Sequence, residues 1–511
     1  MAARRYYLTA AIPYANGAPH IGHAYEVIAA DALARFMRLD GFDVRFQTGM
    51  DEHGQKIEQT ARKLGISPQA LVDRISAEFR ALYDRLGVSY DDFIRTTEPR
   101  HKAGVQEFWR RMSKDDIYLG SYAGWYSVRD EAYFDEAELS AGDNGQKLAP
   151  SGAPVEWVEE ESYFFRLSAY QDRLLQLYET HPEFIQPESR RNEIVSFVRS
   201  GLRDLSISRT TFSWGVPVPD APRHVMYVWV DALSNYITAL GYPAGSELSK
   251  FWPADLHMIG KDITRFHAIY WPAFLMSAGL EVPKRVFGHG FIYSRGEKMS
   301  KSVGNVIAPQ ELIADYGLDQ LRYFLLREAA FGQDVNISHE ALVQRINSDL
   351  ANDFGNLAQR VLSMINRNCE ARVPQPGPLL SADETLLSAA RGLLARLRGE
   401  FAEQAFHRAL EIVWQLVGDA NRYVDEQAPW ALRKTDTARM GTVLYVLAET
   451  LRHLALLAQP VVPEAAAKLL DQLAVPPDRR DFAALATPIT PGTALPKPEG
   501  IFPRFVEAEA K

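Results

Sequence analysis

Apolar positions run almost unbroken from Tyr6 to Ile12, as in a strand buried on both faces, and then give way to the loop Pro13-Tyr14-Ala15-Asn16-Gly17-Ala18-Pro19. From about His20 to Leu39 the period becomes helical, with Ile21, Tyr25, Ile28 and Phe36 recurring near one face and Gly41 placed to stop the helix. Asp43 to Gly49 alternates at Val44, Phe46 and Thr48, a strand pattern, before Asp51-Glu52-His53-Gly54 opens another helix. This order predicts a βαβ unit. Parallel sheets bind ligands beyond the carboxyl ends of their strands, so the loop before His20 and the turn at Asp51 should face one crevice. The glycines there do not form the G-x-G-x-x-G dinucleotide pattern.

From about 115 to 225 the helical period breaks into aromatic, turn-rich sequence such as Tyr122-Ala123-Gly124-Trp125-Tyr126, the pattern of an inserted subdomain. Parallel α/β character is expected to return with Met226-Tyr227-Val228-Trp229-Val230 and Leu256-His257-Met258-Ile259-Gly260. Beyond about Asn336 amphipathic helical repeats of Leu, Ala and Ile dominate, punctuated by Pro and Gly near 374 to 378, and from about Val475 a Pro- and Thr-rich segment should wrap or trail along the surface. The fold class is α/β: a Rossmann-like parallel sheet over 1–114 and 226–335, an inserted connective subdomain over 115–225, an α-helical bundle over 336–475 and an extension over 476–511. No internal repeat is visible.

Length agrees with several cores, since 511 residues at one domain per ~150 suggest three or four domains. With 47% hydrophobic and 24% charged residues, the composition excludes a long disordered region. The start, Met1 to Tyr7, lacks the apolar core and cleavage site of a secretory signal. The most apolar late stretch, Val443 to Val462, carries Glu449, Arg452 and His453 and reads as a buried helix. Cys369 is the only cysteine, which rules out an intrachain disulfide or a zinc site of paired Cys-x-x-Cys knuckles and fits a reducing cytoplasm. The formal net charge of −9 argues against loose, sequence-blind nucleic-acid binding, DNA included, but permits an RNA held by local basic patches.

Two segments carry candidate chemistry. His20-Ile21-Gly22-His23 sits where a loop enters a helix, and helix N-termini offer unpaired N–H groups and partial positive charge to anions. Gly22 would let a nucleotide lie close to the backbone while His20 and His23 donate to charge developing on an α-phosphate. Histidines at a helix start equally serve as caps. Lys298-Met299-Ser300-Lys301-Ser302 lies in a polar, glycine-flanked segment expected to be a mobile loop; its lysines suit a triphosphate, or form a solvated basic loop.

The two segments in this order resemble the signatures of class I aminoacyl-tRNA synthetases. Ala11-Ile12-Pro13-Tyr14-Ala15-Asn16-Gly17, Gly49-Met50-Asp51-Glu52-His53-Gly54, Tyr227-Val228-Trp229-Val230-Asp231-Ala232 and Gly260-Lys261-Asp262-Ile263 are similar to the methionyl branch, and the resemblance runs from residue 6 to about 470. It implies ATP-dependent activation of L-methionine to methionyl-adenylate with release of pyrophosphate, then transfer to the 3′-terminal adenosine of tRNA(Met). It further implies that His20, Gly22, His23, Lys298 and Lys301 bind ATP, with Mg²⁺ accompanying the nucleotide, and that the two histidines and two lysines among them are catalytic. Lys301 is the strongest single catalytic candidate.

By the same resemblance Asp51 pairs with the methionine ammonium, its alternative being an N-cap of the following helix. The side-chain pocket is implied by Ile12, Tyr14, Trp229, Ala232, Leu233, Tyr236, Ile263, His267 and Trp271, with Leu233 where many relatives carry proline. Without the family, such residues are more often plain core. Anticodon contacts are implied for Asn356, Arg360, Pro429 and Trp430, which otherwise read as helix packing and a Pro-Trp helix start.

Tyr126-Ser127-Val128-Arg129-Asp130-Glu131 lacks the cysteines of the zinc knuckle found in many relatives, so no structural zinc is expected. The end at Lys511 leaves no room for the appended RNA-binding module that makes some relatives dimeric, so a cytoplasmic monomer away from membranes is expected. Rival readings are a small nucleotidyltransferase, which leaves the helical third unexplained, and another class I synthetase, of which the leucyl, isoleucyl and valyl enzymes are longer and the cysteinyl enzyme needs zinc-binding cysteines. A non-catalytic tRNA-binding relative remains a third, though it should have lost His23 or Lys301.

Overall fold

Six strands form the central sheet: β1 (Arg5–Ala10), β2 (Asp43–Met50), β3 (Asp92–Arg95), β4 (Ile185–Gln186), β5 (Leu256–Gly260) and β6 (Val286–His289), in the order β3-β2-β1-β5-β6-β4. β1 runs parallel to β5, β5 to β6, β6 to β4 and β2 to β3, with Leu8 opposite Leu256 and Thr9 opposite His257. The predicted first strand, helix and second strand are present as β1, α1 (Ile21–Leu39) and β2. Just past β1 and β2 the chain pairs once more in parallel, Tyr14 with Asp51. This computed structural model describes residues 4–142, 145–294, 297–298 and 308–507, with the backbone alone at 122, 294, 297 and 298.

The chain divides into two compact units, one of Arg5–Pro19 and Arg45–His289, the other chiefly of His20–Val44 and Gly290–Lys511. The first unit holds the central sheet and the aromatic insertion. There a long antiparallel pair, Ile117–Ser127 with Glu156–Phe165, stands beside the sheet in sequence between β3 and β4. Tyr7, Phe108, Leu233, Tyr236, Trp271 and Phe274 belong to the buried apolar cluster of this unit. Each fully buried aromatic of this kind contributes ~1.5–3 kcal/mol through removal of apolar surface from water.

One sequence expectation is corrected here. Met226 to Val230 does not form a parallel strand: Ala221–Met226 is antiparallel to neighbouring strands, and Val228–Leu233 is helical. The Tyr227 carbonyl accepts from the N–H of Val230 at 2.9 Å and of Asp231 at 3.2 Å, closing the first helical turn. A short apolar run buried on all sides carries no period that separates strand from helix, so tertiary contacts decide it.

In the second unit α1 packs Phe36 against Phe401 and Phe482, while its Asp31 accepts from Arg322 at 2.7 Å in a fully buried ion pair. Arg322 also donates to the carbonyls of Pro460 and Val461, so the charged group is satisfied on several sides. Helices Ser381–Ala402, Phe406–Gln427 and Thr437–Ala458 make the bundle. Thr437–Ala458 is long and apolar enough to cross a membrane, but 94% of its apolar window is buried inside the protein. Its Glu449 and Arg452 pair at 2.6 Å, and Arg452 reaches the carbonyls of Ala484 and Leu485. The terminal segment buries Phe482, Ile489, Leu495, Ile501 and Phe502, and so wraps the bundle rather than trailing from it.

Candidate active site

The carboxyl ends of β1, β2 and β5 bring together most of the sequence-predicted pocket. Asp51 is buried directly after β2, held by its own backbone: its N–H donates to the Pro13 carbonyl at 2.9 Å and its carbonyl accepts from Ala15 at 2.8 Å. It is not a helix cap, because the following helix α2 (Gln55–Leu64) starts from Gly54 without a side-chain cap. Asp51 Oδ1 has no hydrogen-bond partner among the described residues. Burial, followed by the neighbouring charges of Asp231 and Glu131, pushes its carboxyl well above the usual aspartate range.

Asp231 differs from Asp51 although the two interact. Burial works against its charge, but His53 and His101, at 2.6 and 2.8 Å, hold its carboxyl well below the usual range. One buried carboxylate is therefore balanced by two imidazoles, while the other has an oxygen with nothing to accept from.

The two buried histidines of the aromatic wall have both ring nitrogens matched, whereas the buried Trp229 Nε1 finds no hydrogen-bond partner among the described residues. Burial depresses His267 to about 4, so the ring is neutral near pH 7. Its Nδ1 lies 3.0 Å from the Ile263 carbonyl, which can only accept, so Nδ1 carries the proton and Nε2 accepts from the Tyr236 hydroxyl at 2.7 Å. His257, also driven well down by burial, accepts from Trp271 Nε1 at 3.2 Å through Nε2 and donates through Nδ1 to Thr9 Oγ1 at 2.7 Å. Tyr236 stacks on His257 with ring centroids 4.1 Å apart, and Trp229 stacks on Phe266 at 3.8 Å. The backbone widens to a π turn over Phe266–Tyr270 beneath these rings.

Leu233, Tyr236 and Trp271 lie within the apolar cluster of this unit, and Tyr14, Trp229 and Ile263 pack against it half-buried. Ala232 and His267 are buried beside them in sequence, and Ile12 is half-buried between β1 and Tyr14. The sequence did not single out His257, Thr9, Phe266, His53, Asp231 or Glu131. Only the histidine inside an apolar strand, Leu256-His257-Met258, carried a local signal, since a buried imidazole requires partners.

In the second unit His20 is the N-cap of α1. Its Nδ1 accepts from the Gly22 N–H at 3.1 Å, and His23 Nδ1 accepts from the His20 N–H at 3.2 Å. A nitrogen that accepts carries no proton, so each neutral ring keeps its proton on Nε2. The rings stack with centroids 3.7 Å apart and planes 24° apart. The first turn of the helix contains no acidic residue to cancel its positive end. Gly22 suits the fold-back, since a Cβ there would lie 3.0 Å from His20 Cε1 and the ring would have to shift.

Lys298 pairs through its backbone with Tyr293 in a short antiparallel ladder, and Lys301 lies outside the described residues, as does the rest of the expected loop from 299 to 307. In the helical region Arg360 lies over the Trp430 ring at 5.5 Å and pairs with Asp425 at 2.8 Å. Trp430 is 47% exposed, Pro429 is the buried first residue of its helix, and Asn356 is exposed one helical turn before Arg360. Among the described residues no group of three or more His, Cys, Asp or Glu side chains is placed to hold a metal ion.

A family model described as tRNA synthetases class I (M) matches residues 6–362, and one described as the anticodon binding domain of methionyl tRNA ligase matches 373–511. Methionine–tRNA ligase of Brucella suis is 62% identical over 512 aligned residues, covering 100% of this chain and 99% of that protein. The solved structure of Mycobacterium tuberculosis methionyl-tRNA synthetase in complex with methionyl-adenylate superposes with a TM-score of 0.96 at 58% identity, covering 98% of this chain and 100% of that one. The apo form of the same enzyme gives a TM-score of 0.91 at 54% identity, with 99% of each chain covered.

Proposed function

The chain belongs to the class I methionyl-tRNA synthetases, and from that membership we propose how its residues divide the family's reaction, the ATP-dependent joining of L-methionine to tRNA. The observation that carries the proposal is the buried Asp51 carboxylate oxygen with no partner, set beside a neutral aromatic wall whose histidines are fully engaged. An α-ammonium is the group that such a carboxylate lacks, and binding it would favour the ionised form of Asp51. Tyr14, Trp229, Tyr236, His267 and Trp271, with Ile12, Ala232, Leu233 and Ile263, then receive the thioether side chain, which polarizable aromatic surfaces suit.

With the ammonium anchored, the methionine carboxylate attacks the ATP α-phosphorus in line. The carbon-oxygen-phosphorus link forms as the bond to the leaving pyrophosphate breaks. The nucleophile is already ionised, so catalysis reduces to positioning and charge stabilisation. His20 and His23 donate from Nε2 to the α-phosphate, reinforced by the N-terminus of α1 close to Gly22, and Lys298 and Lys301 hold the departing phosphates. Mg²⁺ would accompany the ATP and neutralise the charge of its phosphates. Trp430 and Arg360, with Asn356 and Pro429, supply a stacking and edge-reading surface for the unpaired bases of the tRNA(Met) anticodon. The enzyme works as a cytoplasmic monomer in this proposal.

The test is ATP–pyrophosphate exchange with each of the twenty amino acids in turn. Exchange selective for methionine, lost in Lys301→Ala by orders of magnitude with methionine affinity retained, is the expected result. Exchange stimulated more by another amino acid would overturn the assignment of the pocket, and near-normal exchange in the variant would remove Lys301 from it.

A further inference from the structure

The residue that draws attention next is Glu131, which comes from the inserted subdomain yet ends inside the candidate methionine site. It closes a tight turn after the strand Ile117–Ser127, at φ 49°, a left-handed conformation that side chains other than glycine rarely adopt, and it is only 5% exposed. Both carboxylate oxygens are engaged. Oε1 accepts from the Tyr14 hydroxyl at 3.0 Å and from the Lys56 N–H at 3.4 Å, while Oε2 accepts from the Tyr126 hydroxyl. The Glu131 carbonyl accepts from the Tyr227 hydroxyl at 2.9 Å. One residue thus ties the loop after β1, the start of α2 and the segment leading into Val228–Leu233.

The turn is anchored from outside by a separate set of contacts. Ser127 Oγ and Ser151 Oγ both donate to Asp130, and Arg129 donates to the Ser151 carbonyl at 2.6 Å. On the inside, Gly54 leaves no slack: at φ +114° it sits so close that a Cβ would lie 2.6 Å from the Tyr14 hydroxyl and 2.9 Å from Glu131 Oε1. A strained backbone and a buried carboxylate persist only where surrounding contacts hold them, and such strain clusters at functional sites.

We propose that Glu131 is a positioning residue for methionine: through the Tyr14 hydroxyl it sets the tyrosine ring against Asp51, and its negative charge deepens the potential that receives the ammonium. The proposal rests on the placement of methionine beside Asp51 and Tyr14. Backbone bonds already fix the Tyr14 main chain to Asp51, so the direction of its ring depends on what the hydroxyl finds. Glu131 is also among the charges that raise the Asp51 carboxyl, and the same negative charge would attract a cation bound there.

The experiment measures methionine KM and kcat in ATP–pyrophosphate exchange for Glu131→Ala, Glu131→Gln, Tyr14→Phe, the Glu131→Ala/Tyr14→Phe double variant and Asp51→Asn, with a thermal melt of each. Loss of one hydrogen bond to a charged acceptor corresponds to about a ten-fold rise in methionine KM. That rise is expected in both single variants, with kcat and the KM for ATP within about three-fold. The double variant should be no worse than the larger single, and Glu131→Gln, which keeps an acceptor for the hydroxyl, should recover part of the loss.

Multiplied effects in the double variant, or a lowered melting temperature in Glu131→Ala with unchanged methionine KM, would overturn the positioning role. If Glu131→Ala does not fold, Tyr14→Phe decides alone, and a methionine KM within two-fold of the parent would sink the proposal. Asp51→Asn separates the two layers. A normal methionine KM in that variant condemns the placement of methionine, whereas a large rise there with no response at Glu131 condemns only the role of Glu131.

Discussion

The candidate methionine site and the Arg360–Trp430 patch both use aromatic rings, but they treat water oppositely. In the first, Tyr236 and Trp271 are almost wholly buried, His257 and His267 are neutral, and their polar side-chain atoms bond to one another, to Thr9 Oγ1 or to the backbone. In the second, Trp430 stands 47% exposed with a guanidinium over its ring, and the partner carboxylate Asp425 is itself exposed. A buried wall whose histidines are held by hydrogen bonds is preorganised and discriminates shape. An exposed ring costs little to present and takes up a base by stacking after the base has left its own stack. Under the proposed function, chemical selectivity belongs to the buried region and reversible polymer contact to the exposed one.

The sharpest way to break this comparison is at Asp51. Asp51→Asn should lower kcat/KM for methionine on the order of 100-fold, since a charge-assisted contact is lost. The same change should raise the melting temperature of the ligand-free protein by a few degrees, because it replaces a buried carboxyl whose ionised form is disfavoured by burial and by the neighbouring Asp231 and Glu131. A variant that loses both activity and stability would mean that Asp51 holds the fold rather than the substrate.

Trp430→Ala comes next. Aminoacylation should fall ~10-fold or more through lost base stacking, with ATP–pyrophosphate exchange unchanged and stability within ~0.5 kcal/mol, as for an exposed residue. Equal loss of both activities would show that the exposed ring supports the buried site after all.

Tyr236→Phe should act in the reverse direction, on the buried side alone. It leaves His267 Nε2 without its donor at a cost of ~1–3 kcal/mol in stability, measured by chemical denaturation, and should raise the methionine KM several-fold. An unchanged denaturation midpoint would mean that the hydroxyl is not needed to satisfy the imidazole.

Acidity gives the smallest and most graded effect. His267, depressed to about 4, refuses in the folded state a proton that the unfolded chain accepts near ~6.5, so the unfolded state binds more protons between these values. Stability from this group is present above that window and is lost as pH falls through it, a slope that His267→Gln should flatten in pH-dependent melts. Asp51, raised rather than lowered, makes methionine KM climb on acidification, and Asp51→Asn should remove that dependence.

Much of the architecture was legible along the chain. The strand, helix and strand at the N-terminus, the turn at Asp51, the aromatic insertion, the helical bundle and the buried helix near Val443 all follow from the period of apolar positions. Those periods are local, set by 3.6 residues per helical turn and alternation in strands, and so survive without knowledge of neighbours. The His20 to His23 and Lys298 to Ser302 segments, with the family resemblance they carry, were equally visible because the motifs are contiguous. The run Met226 to Val230 was misread because a short stretch buried on every side has no period to betray it.

What tertiary structure alone decided is which polar groups are satisfied. Asp51 and Asp231 are both aspartates beside apolar residues in sequence, yet only one meets histidines, from positions 53 and 101. His257 reaches Trp271 and Thr9, and Glu131 crosses to Tyr14, through contacts separated by up to 248 residues. Charge states and ring orientations in a buried site depend on such distant partners, because in a low dielectric each unmatched group is expensive and each match is specific to one arrangement of the chain.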